Sequence, residues 1–170
     1  MNLHVTPNDH IQGAKDALIE MIEYGDYQCP YCRKAYYILK ELPAELRKNI
    51  RLVFRNFPLQ DLHEHALHAA IAAEVAASQG KFWEMHDIIF ENQHYLSDSD
   101  LIKYAREIGL DVERFKNEFG NDQFFEKVKS DFESGERNGV EGTPTFFING
   151  EIFEGNWMGA EFTEYLQSLI

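Results

Sequence analysis

With 170 residues, 44% of them hydrophobic and 26% charged, the chain has the balance of one globular domain able to bury a substantial core. Its formal charge of −13, from 16 Lys and Arg against 29 Asp and Glu, would repel phosphate backbones and anionic lipid surfaces, which argues against nucleic acid as a partner. No apolar run approaches the ~20 residues of a membrane span, so no membrane insertion is expected.

The first ten residues carry neither Lys nor Arg nor an apolar core, so they do not read as a secretory leader. If Met1 is the natural start, a cytoplasmic protein is expected; a removed leader would place it in the periplasm or outside the cell. Leu18 to Tyr24 is a short apolar run of period two that ends at the turn signal Gly25-Asp26, and reads as a strand. That strand delivers Cys29-Pro30-Tyr31-Cys32, which contains the only two cysteines of the chain. From Pro30 the pattern becomes helical, with Cys32, Ala35, Tyr36, Leu39 and Leu42 on one stripe before Pro43 interrupts it. Proline suits a first helical position, where its missing N–H would have no intrahelical partner.

Arg51 to Phe57 is a second strand candidate, stopped by Pro58. An alanine-rich helix follows from Ala66 to Ala77, ended by Gly80, and Phe82, Met85, His86 and Ile89 mark the next. Ser97 with Asp100 resembles a capping box for a helix from Leu101 to Ile108, with Gly109 at its end. Asp111 can cap a short helix ending at Gly120, and Phe124, Phe125, Val128 and Phe132 stripe a longer one. Thr145 to Ile148 and Glu151 to Phe153 flank Asn149-Gly150, a strong short hairpin signal. A helix from about Ala160 to Leu169 closes the chain. With no repeat or linker, one α/β or α+β domain over residues 1–170 is expected.

The cysteine pair carries the chemistry. A thiolate is the nucleophile, and an ordinary thiol with pKa about 8.5 supplies little of it at neutral pH. Cys29 stands at a helix N-terminus, where unpaired N–H groups and the helix dipole favour the anion. Cys32 lies on the apolar stripe and should be buried. Cys29 is therefore expected to attack a disulfide and Cys32 to resolve the mixed disulfide. A zinc site is the alternative, but His63, His65 and His68, the nearest cluster, lack zinc-finger spacing; no metal is expected. Glu23 shares a strand face with Ile19 and Met21, which puts a carboxyl at the end of an apolar stripe. Asp26 reads as a turn former that caps backbone, and His86 as a satisfied core histidine.

The segment Tyr24 to Cys32, together with Gly142-Thr143-Pro144-Thr145-Phe146-Phe147-Ile148-Asn149-Gly150, resembles the DsbA-type branch of the thioredoxin superfamily. The likeness extends over nearly the whole chain, through Phe57-Pro58-Leu59, the alanine-rich helix, Gly80-Lys81-Phe82-Trp83 and Gly109-Leu110-Asp111. It implies a thioredoxin fold, with a helical insertion from about Leu62 to Gly120 between a βαβ half and a C-terminal ββα half. It implies a cis Thr143-Pro144 bond facing the cysteines, with the Thr143 backbone pairing with an extended substrate segment. It also implies that Glu23 is a buried acid exchanging protons with Cys32. Pro30 and Tyr31 would tune the redox poise. The family's strongest oxidant has His where this chain has Tyr31, so extreme oxidising power is not expected. Glutaredoxins share Cys-Pro-Tyr-Cys but are much shorter.

The expected activity is thiol–disulfide exchange with protein or small thiol substrates, without a cofactor, by a monomer recycled by a separate thiol system. Two other readings stand beside it: a glutathione-dependent isomerase or transferase on a related fold, and a chaperone-like binding module. Tyr27, Tyr31, Phe57 and Trp157 are expected to rim the site. Phe82, Trp83, Phe124, Phe125 and Phe132 are expected to pack in the core.

Overall fold

Strand β2 (Ile19–Gly25) runs through the middle of a five-stranded sheet, and its alternation decides which helices lie where. The computed structural model describes residues 3–170. In chain order the elements are β1 (His10–Gln12), β2, α1 (Pro30–Glu41), α2 (Ala44–Arg47), β3 (Ile50–Asn56), α3 (Ala66–Ser78) and α4 (Phe82–Glu91). They continue with α5 (Asp98–Glu107), α6 (Val112–Phe119), α7 (Asp122–Arg137), β4 (Thr145–Ile148), β5 (Glu151–Ile152) and α8 (Ala160–Gln167).

The sheet order is β1-β3-β2-β4-β5. Strands β2 and β3 are parallel, joined by the crossover through α1, and the other pairings are antiparallel. Ile19, Met21 and Ile148 meet Ala35 of α1 and Phe162 and Leu166 of α8 on one face. Ile22, Tyr24, Val53 and Phe147 meet Phe57 and Phe132 on the other, the face that α7 covers. Helices α3 to α6 close over Tyr27, Phe54 and Cys32 with a core of alanines and aromatic rings.

Buried charge ties this helical block to the sheet. Asn56, at the end of β3, donates its amide to Glu74 of α3 (2.7 Å) and Asp131 of α7 (2.9 Å). Lys127 supplies the opposing positive charge, and His10 Nε2 lies 2.6 Å from the Glu74 carboxylate. On its own this arrangement is weak support for stability, because each ion is desolvated, but removing one partner would strand the rest.

The local signals hold where they are short-range. Ser97 and Asp100 form a reciprocal capping box at α5, and Asp111 caps α6. Asn149 and Gly150 take positive φ (49° and 87°), the left-handed geometry a two-residue hairpin turn requires. Strand β1 and helix α2 carry no sequence signal: three and four residues are too short to show a period. Two packing expectations are corrected. Phe125 is 37% exposed and faces out from α7, whereas Tyr27 (1%) and Phe57 (3%) are core residues and not rim. Tyr27 meets Phe54 and Phe90 at 5.1 and 4.9 Å between ring centres, and Phe57 stacks on Phe132 at 4.3 Å.

Candidate active site

Cys29 is the N-cap of α1, with extended backbone (φ −72°, ψ 122°) and no side-chain cap on the helix. The first-turn N–H groups are therefore left for the sulfur. Cys29 is 5% exposed and Cys32, one turn on and facing inward, is 0% exposed. Both are free thiols. The thiol of Cys32 donates to Cys29, and with the N–H groups of Cys32 and Tyr31 this brings the Cys29 pKa down to about 5, against the opposing effect of its burial. Burial, followed by its hydrogen bond to Cys29 and then the charge of Cys29, pushes Cys32 well above the ordinary thiol range. One sulfur is thus an anion at neutral pH and the other a protonated reserve.

The opposite wall comes from the segment before β4. Antiparallel pairing of Tyr24 with Thr145 brings the approach to β4 beside the end of β2, and so beside the β2–α1 turn. The Thr143-Pro144 bond is cis. Cys29 Sγ lies 3.6 Å from the Thr143 carbonyl oxygen. The Thr143 hydroxyl is buried and meets no partner in full hydrogen-bond geometry among the described residues, but its closeness to the sulfur also lowers the Cys29 pKa. The sequence points to the Thr143 backbone and carries no signal for this hydroxyl.

Beneath α1, Glu23 is 2% exposed and accepts no hydrogen bond among the described residues. Burial alone pushes its carboxyl up to about 8, and its charge contributes to the raised pKa of Cys32. A cavity of about 310 Å³ reaches Glu23 from the side of α1, past Gln12, Tyr36, Lys40, His86 and Asp87. The carboxyl therefore stands between a buried thiol and a polar opening.

Asp26 has the expected capping role, with more partners than a turn needs. One oxygen accepts from the Gln28 N–H (2.8 Å), and the other faces the Leu59 N–H (2.9 Å) and His63 Nδ1 (2.8 Å). The Asp26 N–H donates to Cys32 Sγ at 3.4 Å. His63 is thus an Asp26 partner, His65 pairs with Glu64 and His68 with Asp98. Among the described residues no three of His, Cys, Asp and Glu converge as metal ligands. His86 is a core histidine: burial holds its pKa near 3, and its Nδ1 shares a 2.9 Å hydrogen bond with the Tyr27 hydroxyl. Tyr31 is 53% exposed and does border the site, with Lys34 Nζ 5.5 Å above its ring. Trp157 is half-buried against Phe146. Gln93, unnoticed in the sequence, donates to the Tyr27 and Cys29 carbonyls. No sequence signal points to it, since it sits in a turn 64 positions from Cys29.

A family model described as thioredoxin matches residues 5–168. Among curated proteins, the chain is 40% identical over 149 residues to Na(+)/H(+) antiporter NhaA 1 of Salinispora arenicola, covering 88% of this chain and 23% of that protein. It is 39% identical over 160 residues to the antiporter NhaA of Herminiimonas arsenicoxydans, covering 94% and 25%. The chain thus spans about a quarter of the length of these relatives. Among the described residues no helix is long and apolar enough to cross a membrane. Among solved structures, a thioredoxin-like oxidoreductase of Silicibacter pomeroyi superposes with TM-score 0.83 at 26% identity, over 96% of this chain and 92% of that one. BdbD of Bacillus subtilis gives 0.81 at 22% identity, over 95% and 92%. The thiol-disulfide exchange protein alpha-DsbA2 of Wolbachia pipientis gives 0.81 at 19%, over 96% and 88%.

Proposed function

Because the chain belongs to the thioredoxin family, we propose that it is a thiol–disulfide oxidoreductase whose working pair is Cys29 and Cys32. The observation that carries this is the asymmetry of the pair: a stabilised thiolate at the start of α1 with a buried, protonated thiol behind it. The Cys29 thiolate attacks one sulfur of a substrate disulfide, forms a mixed disulfide and expels the other sulfur as a thiolate. Cys32 then gives its proton to Glu23 and attacks Cys29 sulfur. The Cys29–Cys32 disulfide forms, the second substrate thiolate leaves, and two electrons have passed to the substrate. Run backwards, the same steps oxidise a dithiol. Glu23 holds the transferred proton, and the cavity beside it offers that proton a way out to solvent.

Thr143 and Pro144 form the docking wall, where the Thr143 backbone would pair with an extended substrate segment. Pro144 offers no N–H. Tyr31 acts on the thiolate through its backbone N–H, with Pro30 ahead of it. A Cys29 pKa of about 5 lies between that of a reductive thioredoxin, about 7, and that of a strongly oxidising enzyme, about 3.5. The couple should accordingly have a potential between about −270 and about −120 mV. A protein disulfide or dithiol is the proposed substrate class. The antiporter name belongs to polypeptides of which this chain spans about a quarter.

Cys29→Ser should abolish disulfide exchange, while Cys32→Ser should accumulate a mixed disulfide visible by intact-mass measurement. Full exchange by Cys29→Ser would overturn the reading. Glutathione-dependent turnover that survives loss of Cys32 would point instead to a transferase. Suppression of client aggregation by the double variant, without exchange in the parent, would point to a binding module.

A further inference from the structure

The turn that carries Cys29 is held by a group from a distant part of the chain. Gln93, just after α4, is 7% exposed, and its amide nitrogen donates to the carbonyl oxygens of Tyr27 (2.9 Å) and Cys29 (2.8 Å). Both amide protons are spent on one short segment. The same end of α4 receives Arg33, whose Nε donates to the Phe90 carbonyl at 3.0 Å. From the other side, Asp26 and Gln28 tie the turn to Leu59, His63 and His65.

The peptide between Cys29 and Pro30 needs such a group. Its nitrogen is a proline nitrogen and carries no hydrogen, so the carbonyl is the only polar handle by which that plane can be fixed. The first bond of the helix ladder, from the Arg33 N–H, reaches it at 3.2 Å. Gln93 approaches closer and from outside the helix. A primary amide suits the position because it supplies two donors without bringing a charge into a buried site.

We infer that Gln93 is a positioning residue for Cys29: by fixing the Tyr27 and Cys29 carbonyls it holds the Tyr27–Gln28 and Cys29–Pro30 peptide planes, and so the angle at which the chain carrying the sulfur enters the helix turn that bears the Tyr31 and Cys32 N–H groups. It also draws the Cys29 carbonyl oxygen onto a donor, which offsets its repulsion of the neighbouring thiolate. Gln93 touches no reacting atom, and its effect passes through the backbone. The inference rests on the reading of Cys29 as the nucleophile.

The test compares the parent with Gln93→Met, which keeps the length and loses both donors, and Gln93→Asn, which keeps the amide but withdraws it by one carbon. Thiolate absorbance against pH should show the Cys29 pKa rising from about 5 by about one unit in both variants. The equilibrium with glutathione should move about tenfold toward the protein disulfide, a potential about 30 mV more negative. Thermal melting that falls while both readouts stay at parental values would overturn the inference and leave Gln93 a packing residue. In the unaltered protein, the Gln93 side-chain amide protons should exchange slowly and shift with the Cys29 titration, a shift absent in Cys29→Ser. Fast exchange without that shift would overturn it even if neither variant folds. A parental Cys29 that titrates in the ordinary thiol range would instead remove the nucleophile reading itself.

Discussion

Glu23 and Cys32 lie on the underside of α1, and one proton cannot sit on both. With a carboxyl pKa of about 8, Glu23 is mostly protonated at neutral pH and becomes a base as the pH passes that value. Resolution of the mixed disulfide needs the basic form, so its rate should climb through pH 8. The reverse reaction needs the acid form and should decline there. In Glu23→Gln both pH dependences should vanish, and resolution should slow by about 10²-fold. Stopped-flow measurement of mixed-disulfide collapse checks this; a Glu23→Gln profile that keeps its rise near pH 8 would remove Glu23 from the relay. At this scale the sequence was partly legible. Cys29, Cys32 and Glu23 could be placed by helix and strand period, because a period says which face a side chain is on. The buried Thr143 hydroxyl and the double bond from Gln93 could not, because each depends on where a remote segment lands.

At the scale of elements, α7 shows how closely the far face of the sheet is packed. A methyl group on Gly135 would stand 2.7 Å from two atoms of the Phe57 ring and 3.1 Å from the Tyr24 ring. Phe57 cannot swing aside freely, since Phe132 stacks on it. Gly135→Ala should therefore destabilise the protein. The helix-propensity gain is about 1 kcal/mol, whereas overpacking costs about 1–3 kcal/mol. A lower urea midpoint is expected, and a higher one would show that the rings can yield. The helices were legible from their caps and stripes: Ser97 and Asp111 are N-caps and Gly120 is a C-cap. The stripe of α7 misled at Phe125, because periodicity says that a face is apolar but not how far a covering partner extends.

For the molecule as a whole, the two perturbed groups of the site pull stability in opposite directions with pH. Glu23, raised from 4.5 to about 8, keeps its proton longer when folded, so stability falls as pH rises through that window. Cys29, lowered from 9.0 to about 5, loses its proton earlier when folded, so stability rises between those values. The second contribution exists only in the reduced protein, because a disulfide sulfur does not titrate. The stability of the oxidised form relative to the reduced form should therefore drop as pH goes from 5 to 9, by up to about 1.4 kcal/mol per pH unit. Paired denaturant titrations of the two forms measure this directly. Parallel curves would mean that Cys29 has an ordinary pKa in the folded state.

Read alone, the sequence determined where the cysteine pair lies, which of the two is fully buried, most element boundaries and the mixed α/β character. Those properties follow from neighbours within a turn or two along the chain, so composition, caps and periods report them. Only the tertiary structure decided what surrounds the sulfur. The Thr143 hydroxyl and carbonyl, the grip of Gln93 on the Cys29 carbonyl and the cavity reaching Glu23 all join segments far apart in the chain. Such contacts arise when whole elements pack against one another, and no local pattern encodes the distance at which they meet.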